Sequence, residues 1–197
     1  SEILIVADNL NNCEWIAADL LSQAEHDEEA QSILITDDLN FANRVSNAVD
    51  KHLTTLPRKE IAYNSWHNNG LIILVKTLDE SPELINLIAP EHLELAISNP
   101  EDLFGNVLHA GSIFLGRYTP EAIGDYVAGP NHVLPTSNSA RFSSGLAVYD
   151  FLKRTTFTEC NATSLSKLAP TAITMANAEG LTAHAMSMQL RTKRDTN

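Results

Sequence analysis

Glu91 and His92 stand side by side after Pro90 and ahead of an apolar run, which fixes a carboxylate and an imidazole on one constrained turn. Such a pair can serve as acid and base near neutral pH, where imidazole changes charge. Adjacent Glu-His pairs are also common by chance, so this one is weak alone. Gln23 and His26, three apart at the end of a helical stretch, share one face and offer an oxygen and a nitrogen to a metal ion. An isolated pair at that spacing is more often a polar helix end. Asp125 lies in Gly124-Asp125-Tyr126, and His132 follows in Gly129-Pro130-Asn131-His132. His184 sits among apolar neighbours on a helical stretch, the usual setting of a satisfied core histidine. His52, His67 and His109 have no partner nearby in sequence and read as structural or surface residues. Cys13 at a helix start could be a low-pKa thiol, but no base is placed beside it.

Residues 111–153 hold several of these groups and are poor in charge, rich in glycine, proline and hydroxyl residues, and long for a connection. Long irregular segments within compact domains are functional or disordered as a rule. The tyrosines, Asp125, His132 and Arg141 are not the composition of a disordered linker, and the stretch reads as an active-site loop system. A packed surface loop is the plainer alternative. Gly111 to Gly116 and Gly124 to Gly129 have the spacing of a phosphate loop, yet neither continues with Lys-Ser/Thr. No GxGxxG occurs, so the dinucleotide fingerprint is missing from these residues.

The elements that position these groups alternate. Apolar runs at residues 3–7, 32–36, 71–75, 93–97 and 112–115 predict strands. Helices are expected from Cys13 to about His26-Asp27, from Asp37 or Asp38 to about Leu56, and over residues 81–89 and 100–108. One or two helical turns follow at residues 120–127. Strand, helix, strand at this spacing predicts an α/β fold, a Rossmann-like layered parallel sheet with ligands beyond the carboxyl ends of its strands. After Lys153 only helices are expected, at residues 164–177 and 181–193, as a C-terminal helical tail. The division is drawn as residues 1–145 for the sheet unit with its active-site loop and 146–197 for the tail.

The 197 residues can hold one substantial core, and the hydrophobic fraction of 44% is ordinary for a globular protein. A net charge of -12 argues against nucleic-acid or anionic-membrane partners. The basic residues Arg191, Lys193 and Arg194 read as a solvated helix end. No apolar run approaches a membrane span. Two cysteines without a CxxC make a reducing cytoplasm the default compartment. The first residues enter an apolar strand with no lead-in, and the expectation is a fragment with sequence upstream.

Taken together, Ser1-Glu2-Ile3-Leu4-Ile5-Val6-Ala7-Asp8, Asp19-Leu20-Leu21-Ser22-Gln23-Ala24-Glu25-His26 and Pro90-Glu91-His92-Leu93 resemble the histidinol dehydrogenases. These enzymes carry out the last two steps of histidine biosynthesis. The resemblance is closest over residues 111–153, where GRYTPEAIGDY and AGPNHVLPT form a specific signature, and it returns at residues 179–184. It implies that Gln23, His26, Asp125 and His184 are zinc ligands and that Glu91 and His92 are the acid–base pair. Ser1, His132 and Glu179 match positions lining the substrate pocket, which Gln23, His26, His92, Asp125 and His184 share. The implied reaction is L-histidinol plus two NAD to L-histidine through a bound aldehyde. The implied assembly is a homodimer in which the tail carrying Glu179 and His184 reaches into the partner.

Family members are much longer, so the resemblance implies a C-terminal portion, with most nicotinamide contacts in an upstream half. Alternatives are a relative that oxidises another small alcohol, or a non-catalytic zinc-binding dimerisation fragment. A zinc hydrolase using Glu91 and water lacks HExxH or comparable spacing.

Overall fold

The computed structural model describes residues 1–193, so Arg194 lies outside the described residues. The chain forms two compact units, Ser1–Phe151 and Leu152–Asn197.

The first unit is a five-stranded, wholly parallel sheet in the order β3-β2-β1-β4-β5. Its strands are β1 (Glu2–Ala7), β2 (Gln31–Thr36), β3 (Leu71–Leu74), β4 (His92–Ala96) and β5 (Ser112–Leu115). The central strands β1, β2 and β4 are buried almost throughout, as strands covered on both faces must be, and β4 takes the polar His92 and Glu94 inside with it. α1 (Cys13–Ala24) and α2 (Leu39–Leu53) pack on the face formed by Ile3, Ile5, Ala7 and Ala96. On the opposite face Leu4, Val6, Leu93 and Leu95 meet Ile85 and Leu103 from α4 (Ser81–Ile88) and α5 (Glu101–Phe104).

The helix starts follow local chemistry. Asn12 accepts the Glu14 N–H at the start of α1, and Asp38 accepts the Phe41 N–H at the start of α2. α3 (Lys59–Asn69) occupies residues to which the sequence reading assigns no element. Its buried positions are only Ala62 and the polar Ser65, too slight an apolar stripe to mark a helix. α5 is also shorter than the expected 100–108 and ends at Gly105.

The second unit holds α7 (Ala162–Ala178) and α8 (Thr182–Thr192), joined through Gly180 in a left-handed conformation. Asn161 caps α7 by accepting the Ser164 N–H. Among the described residues no helix is long and apolar enough to cross a membrane.

Candidate active site

α4 must stop before Pro90, because a proline disfavours helical geometry in the residue ahead of it. Ala89 ends the helix in a left-handed conformation, φ 51°, and the chain turns directly into Glu91 and His92. His92 opens β4, and the register pairs it with Ile3 on one side and Ser112 on the other. The Glu91–His92 pair therefore stands at the amino edge of the sheet, whereas open α/β sheets ordinarily bind ligands beyond the carboxyl edge.

That carboxyl edge is closed by an ion pair. Arg117 Nη2 lies 2.7 Å and 2.5 Å from the Asp8 carboxylate oxygens and 2.8 Å from Ser98 Oγ. The Ser98 N–H also donates to Asp8, at 2.9 Å. Burial raises the Asp8 pKa, but the bonds from Arg117 and Ser98 outweigh it and hold the carboxyl below its usual range.

Glu91 and His92 are both buried. The Glu2 N–H donates to Glu91 Oε2 at 3.1 Å, and the Glu2 carbonyl lies 2.9 Å from His92 Nδ1. A carbonyl can only accept, so His92 Nδ1 carries the hydrogen and Nε2 of the neutral ring holds the lone pair. That lone pair faces His132 Nε2 at 2.9 Å, so His132 donates. The two rings stack at 4.8 Å. Burial holds the His92 pKa down at about 4, opposed by the Glu2 carbonyl and aided by His132, so the ring is neutral at pH 7. Burial likewise raises Glu91 above the usual carboxylate range.

α6 (Ala122–Tyr126), directly after Glu121, brings in two more carboxylates. Glu121 Oε1 lies 3.5 Å from His92 Nε2 and 3.3 Å from His132 Nε2, and Asp125 Oδ1 lies 3.4 Å from His132 Nε2. Glu121 is buried and its pKa is raised to about 7, first by burial and then by the charge of Asp125. Behind it the Glu121 N–H donates to Glu94, whose carboxyl is raised well above its usual value by burial and by nearby Asp19. Burial raises Asp19 to about 6. With its pKa near 7, Glu121 is divided between its acid and carboxylate forms at neutral pH.

Sequence reasoning missed Glu121. It lies inside GRYTPEAIGDY, four residues before Asp125, and a carboxylate at that spacing on a helical turn was the available signal. Two glycines keep the site tight. A Cβ on Gly111 would meet the Glu91 carbonyl oxygen at 2.5 Å, and one on Gly124 would meet Phe114 and His132 at 2.9–3.0 Å.

The structure thus brings Glu91, His92, Asp125 and His132 together around Glu121. His92, Glu121 and His132 offer three ligand atoms within 4.8 Å of one another, which could accept a metal ion. Tetrahedral zinc with bonds near 2.05 Å would hold two imidazole nitrogens roughly 3.3 Å apart. The observed 2.9 Å is a hydrogen bond.

The other expected residues lie as follows. Gln23 is in the last turn of α1, 1% exposed, and its side-chain oxygen has no hydrogen-bond partner. His26 follows two residues past the helix, exposed, its N–H donating to the Gln23 carbonyl at 3.1 Å. Ser1 is exposed, and its carbonyl accepts the Gln31 N–H at 3.0 Å. Glu179 caps α7, and His184 is exposed on α8, both in the second unit. His52 pairs with Glu14 at 2.8 Å and His67 stacks on Tyr63, as bystander histidines would. For zinc, the donors suit the ion, and a buried glutamine oxygen without an internal donor is a ligand atom free for use. For NAD these residues do not fit. They lack the glycine fingerprint, and the Asp8–Arg117 pair lies at the carboxyl edge where a dinucleotide would ordinarily bind.

Fold and site together define a doubly wound α/β protein with a buried cluster of histidines and carboxyls at the amino edge of its sheet. The family model for histidinol dehydrogenase matches residues 1–192, and the chain belongs to that family. It is 61% identical over 191 residues to histidinol dehydrogenase 1 of Nostoc sp., covering 97% of this chain and 44% of the relative. With the Rhodospirillum rubrum histidinol dehydrogenase the identity is 62% over 195 residues, 98% of this chain and 45% of the relative. A crystal structure of histidinol dehydrogenase from Elizabethkingia anophelis matches with a TM-score of 0.87 and 41% identity, over 97% of this chain and 44% of that one. The chain spans less than half the length of these relatives.

Proposed function

We propose that this chain supplies the acid–base and metal-binding groups of an enzyme that oxidises L-histidinol to L-histidine through histidinaldehyde, with two NAD. The observation that carries the reading is the state of His92, neutral, with its lone pair on Nε2 directed at His132 and with acidic side chains on both sides. Nε2 takes the alcohol proton. The imidazolium so formed is stabilised by Glu121, 3.5 Å from Nε2, and by Glu91, 3.9 Å from Nδ1. Glu91, made a stronger base by burial, takes a proton from the water that hydrates the aldehyde. His92 then serves again in the second oxidation. Groups of this kind contribute on the order of 10²–10⁴-fold.

Gln23, His26 and Asp125 of one subunit, with the partner subunit's His184, would hold zinc. Bound zinc supplies a Lewis-acid anchor for the amino group and imidazole of the substrate. Ser1, His132 and Glu179 would line the pocket, in a cytoplasmic homodimer with exchanged tails. The polypeptide alone is expected not to turn over histidinol, because it spans less than half the length of its relatives and most nicotinamide contacts are expected outside it.

A substrate panel tests the reading. In active enzyme containing this chain, NADH formation should prefer imidazole-bearing alcohols over aliphatic ones of equal length. Equal rates across the panel would overturn the histidinol assignment.

A further inference from the structure

One residue without an assigned role touches both members of the Glu91–His92 turn and the segment that carries His132. Glu2 opens β1 beside the start of β4, and it makes four separate hydrogen bonds there. Its N–H donates to Glu91 Oε2 at 3.1 Å, and its carbonyl accepts from His92 Nδ1 at 2.9 Å. Its side chain returns the first bond, with Oε2 accepting the Glu91 N–H at 3.3 Å. The other oxygen, Oε1, accepts the Ser137 N–H at 2.9 Å, across 135 residues of sequence.

Ser137 ends the segment that carries His132. Ser137 and Asn138 are both left-handed, at φ 54° and 60°, a conformation that non-glycine residues adopt only when something holds them there. The same segment closes on Glu91 through Pro135, whose Cδ would lie 3.2 Å from a Cβ on Gly111. The carboxylate of Glu2 ties the segment and the Glu91–His92 turn directly.

We propose that Glu2 is a positioning residue, whose carboxylate fastens the His132 segment to the Glu91–His92 turn and so sets the contact between the two imidazoles. The backbone of Glu2 chooses the His92 tautomer, and its side chain decides whether a donor faces the lone pair. The proposal rests on the reading of His92 as the base. It has nothing to do with the strength of β1, which the sheet register secures independently.

The test uses the chain labelled with ¹⁵N-histidine, with ring nitrogens read by long-range proton–nitrogen correlation at pH 7. Wild type should show His92 as the Nδ1–H tautomer and a hydrogen-bonded His132 Nε2–H. In Glu2→Ala, His92 should keep its tautomer while the His132 ring proton signal is lost and the Ser137 amide exchanges about tenfold faster or more. Glu2→Gln, which keeps one acceptor and the side-chain shape, should recover part of both effects and decides the matter if the alanine variant does not fold. Unchanged ring signals and Ser137 exchange would overturn the proposal. In active enzyme, Glu2→Gln should lower kcat about ten- to a hundredfold with KM for histidinol little changed. Altered ring signals with an unaltered kcat would also overturn it. A wild-type enzyme inert towards histidinol would overturn the functional reading instead, while the spectroscopic arm still decides the role of Glu2.

Discussion

His92 and His132 share one proton between facing Nε2 atoms 2.9 Å apart, and the direction of that bond is dictated from the far side of the His92 ring. Because the Glu2 carbonyl claims the Nδ1 hydrogen, the Nε2 that faces the pocket must accept. The ring proposed as the base is thus oriented by a backbone atom of another strand. Four expectations follow from this arrangement and its surroundings.

Glu91→Gln should impair hydration of the aldehyde far more than oxidation of the alcohol. In the proposed mechanism Glu91 takes the proton from water, whereas His92 takes the proton of the alcohol. Separate assays with histidinol and histidinal in active enzyme should show a loss on the order of 10²-fold or more in the aldehyde half-reaction. Equal losses in both halves would remove Glu91 from that role.

Glu121→Gln should change the pH dependence of stability. His92, with its folded pKa at about 4 against an ordinary 6.5, contributes stability that is complete above 6.5 and is lost as pH falls towards 4. Glu121, at about 7 against 4.5, contributes the opposite trend, complete below 4.5 and lost as pH rises through 7. The two oppose one another between these limits. Removing Glu121 should therefore stabilise the variant relative to wild type by a margin that grows between pH 4.5 and 7, by about 1–3 kcal/mol. Urea unfolding at several pH values reads this directly, and a margin independent of pH would contradict it.

Gln23→Leu should separate metal binding from folding. The Gln23 side-chain oxygen is buried without a partner, and an unsatisfied buried acceptor costs about 1–3 kcal/mol. In the presence of a chelator the leucine variant should melt higher than wild type. With zinc added, wild type should gain stability and the variant should gain less. A zinc response identical in both proteins would exclude Gln23 as a ligand.

Arg117→Met should cost about 1–3 kcal/mol at pH 7, because it leaves Asp8 charged and half-covered without its partner. The pKa of Asp8 is held low in the folded chain, so its contribution is present above the ordinary value of 3.8 and is lost as pH falls below it. The gap between wild type and variant should accordingly narrow near pH 3. A gap that persists unchanged in acid would mean the arginine acts by packing alone.

Much of the fold could be read from residue order, since β1 and β2 are unbroken apolar runs and Asn12, Asp38 and Pro82 mark helix starts by local chemistry. The Glu91–His92 pair was legible for the same reason, lying on one turn next to a proline. α3 was not, because its buried face consists of an alanine and a serine, which no hydrophobic period reveals. Glu121 and Glu2 were not, since neither stands in a pattern that names its partner. Their partners lie 29 and 89 residues away for the His92–Glu121 and Glu2–Glu91 contacts. Hydrophobic runs and caps record what each segment buries or satisfies within a few residues, and those preferences survive in a linear text. Which carbonyl meets which imidazole depends on strand order and register, and these exist only once β1 lies against β4. The edge of the sheet that holds the candidate site, and the tautomer of His92, were decided at that point.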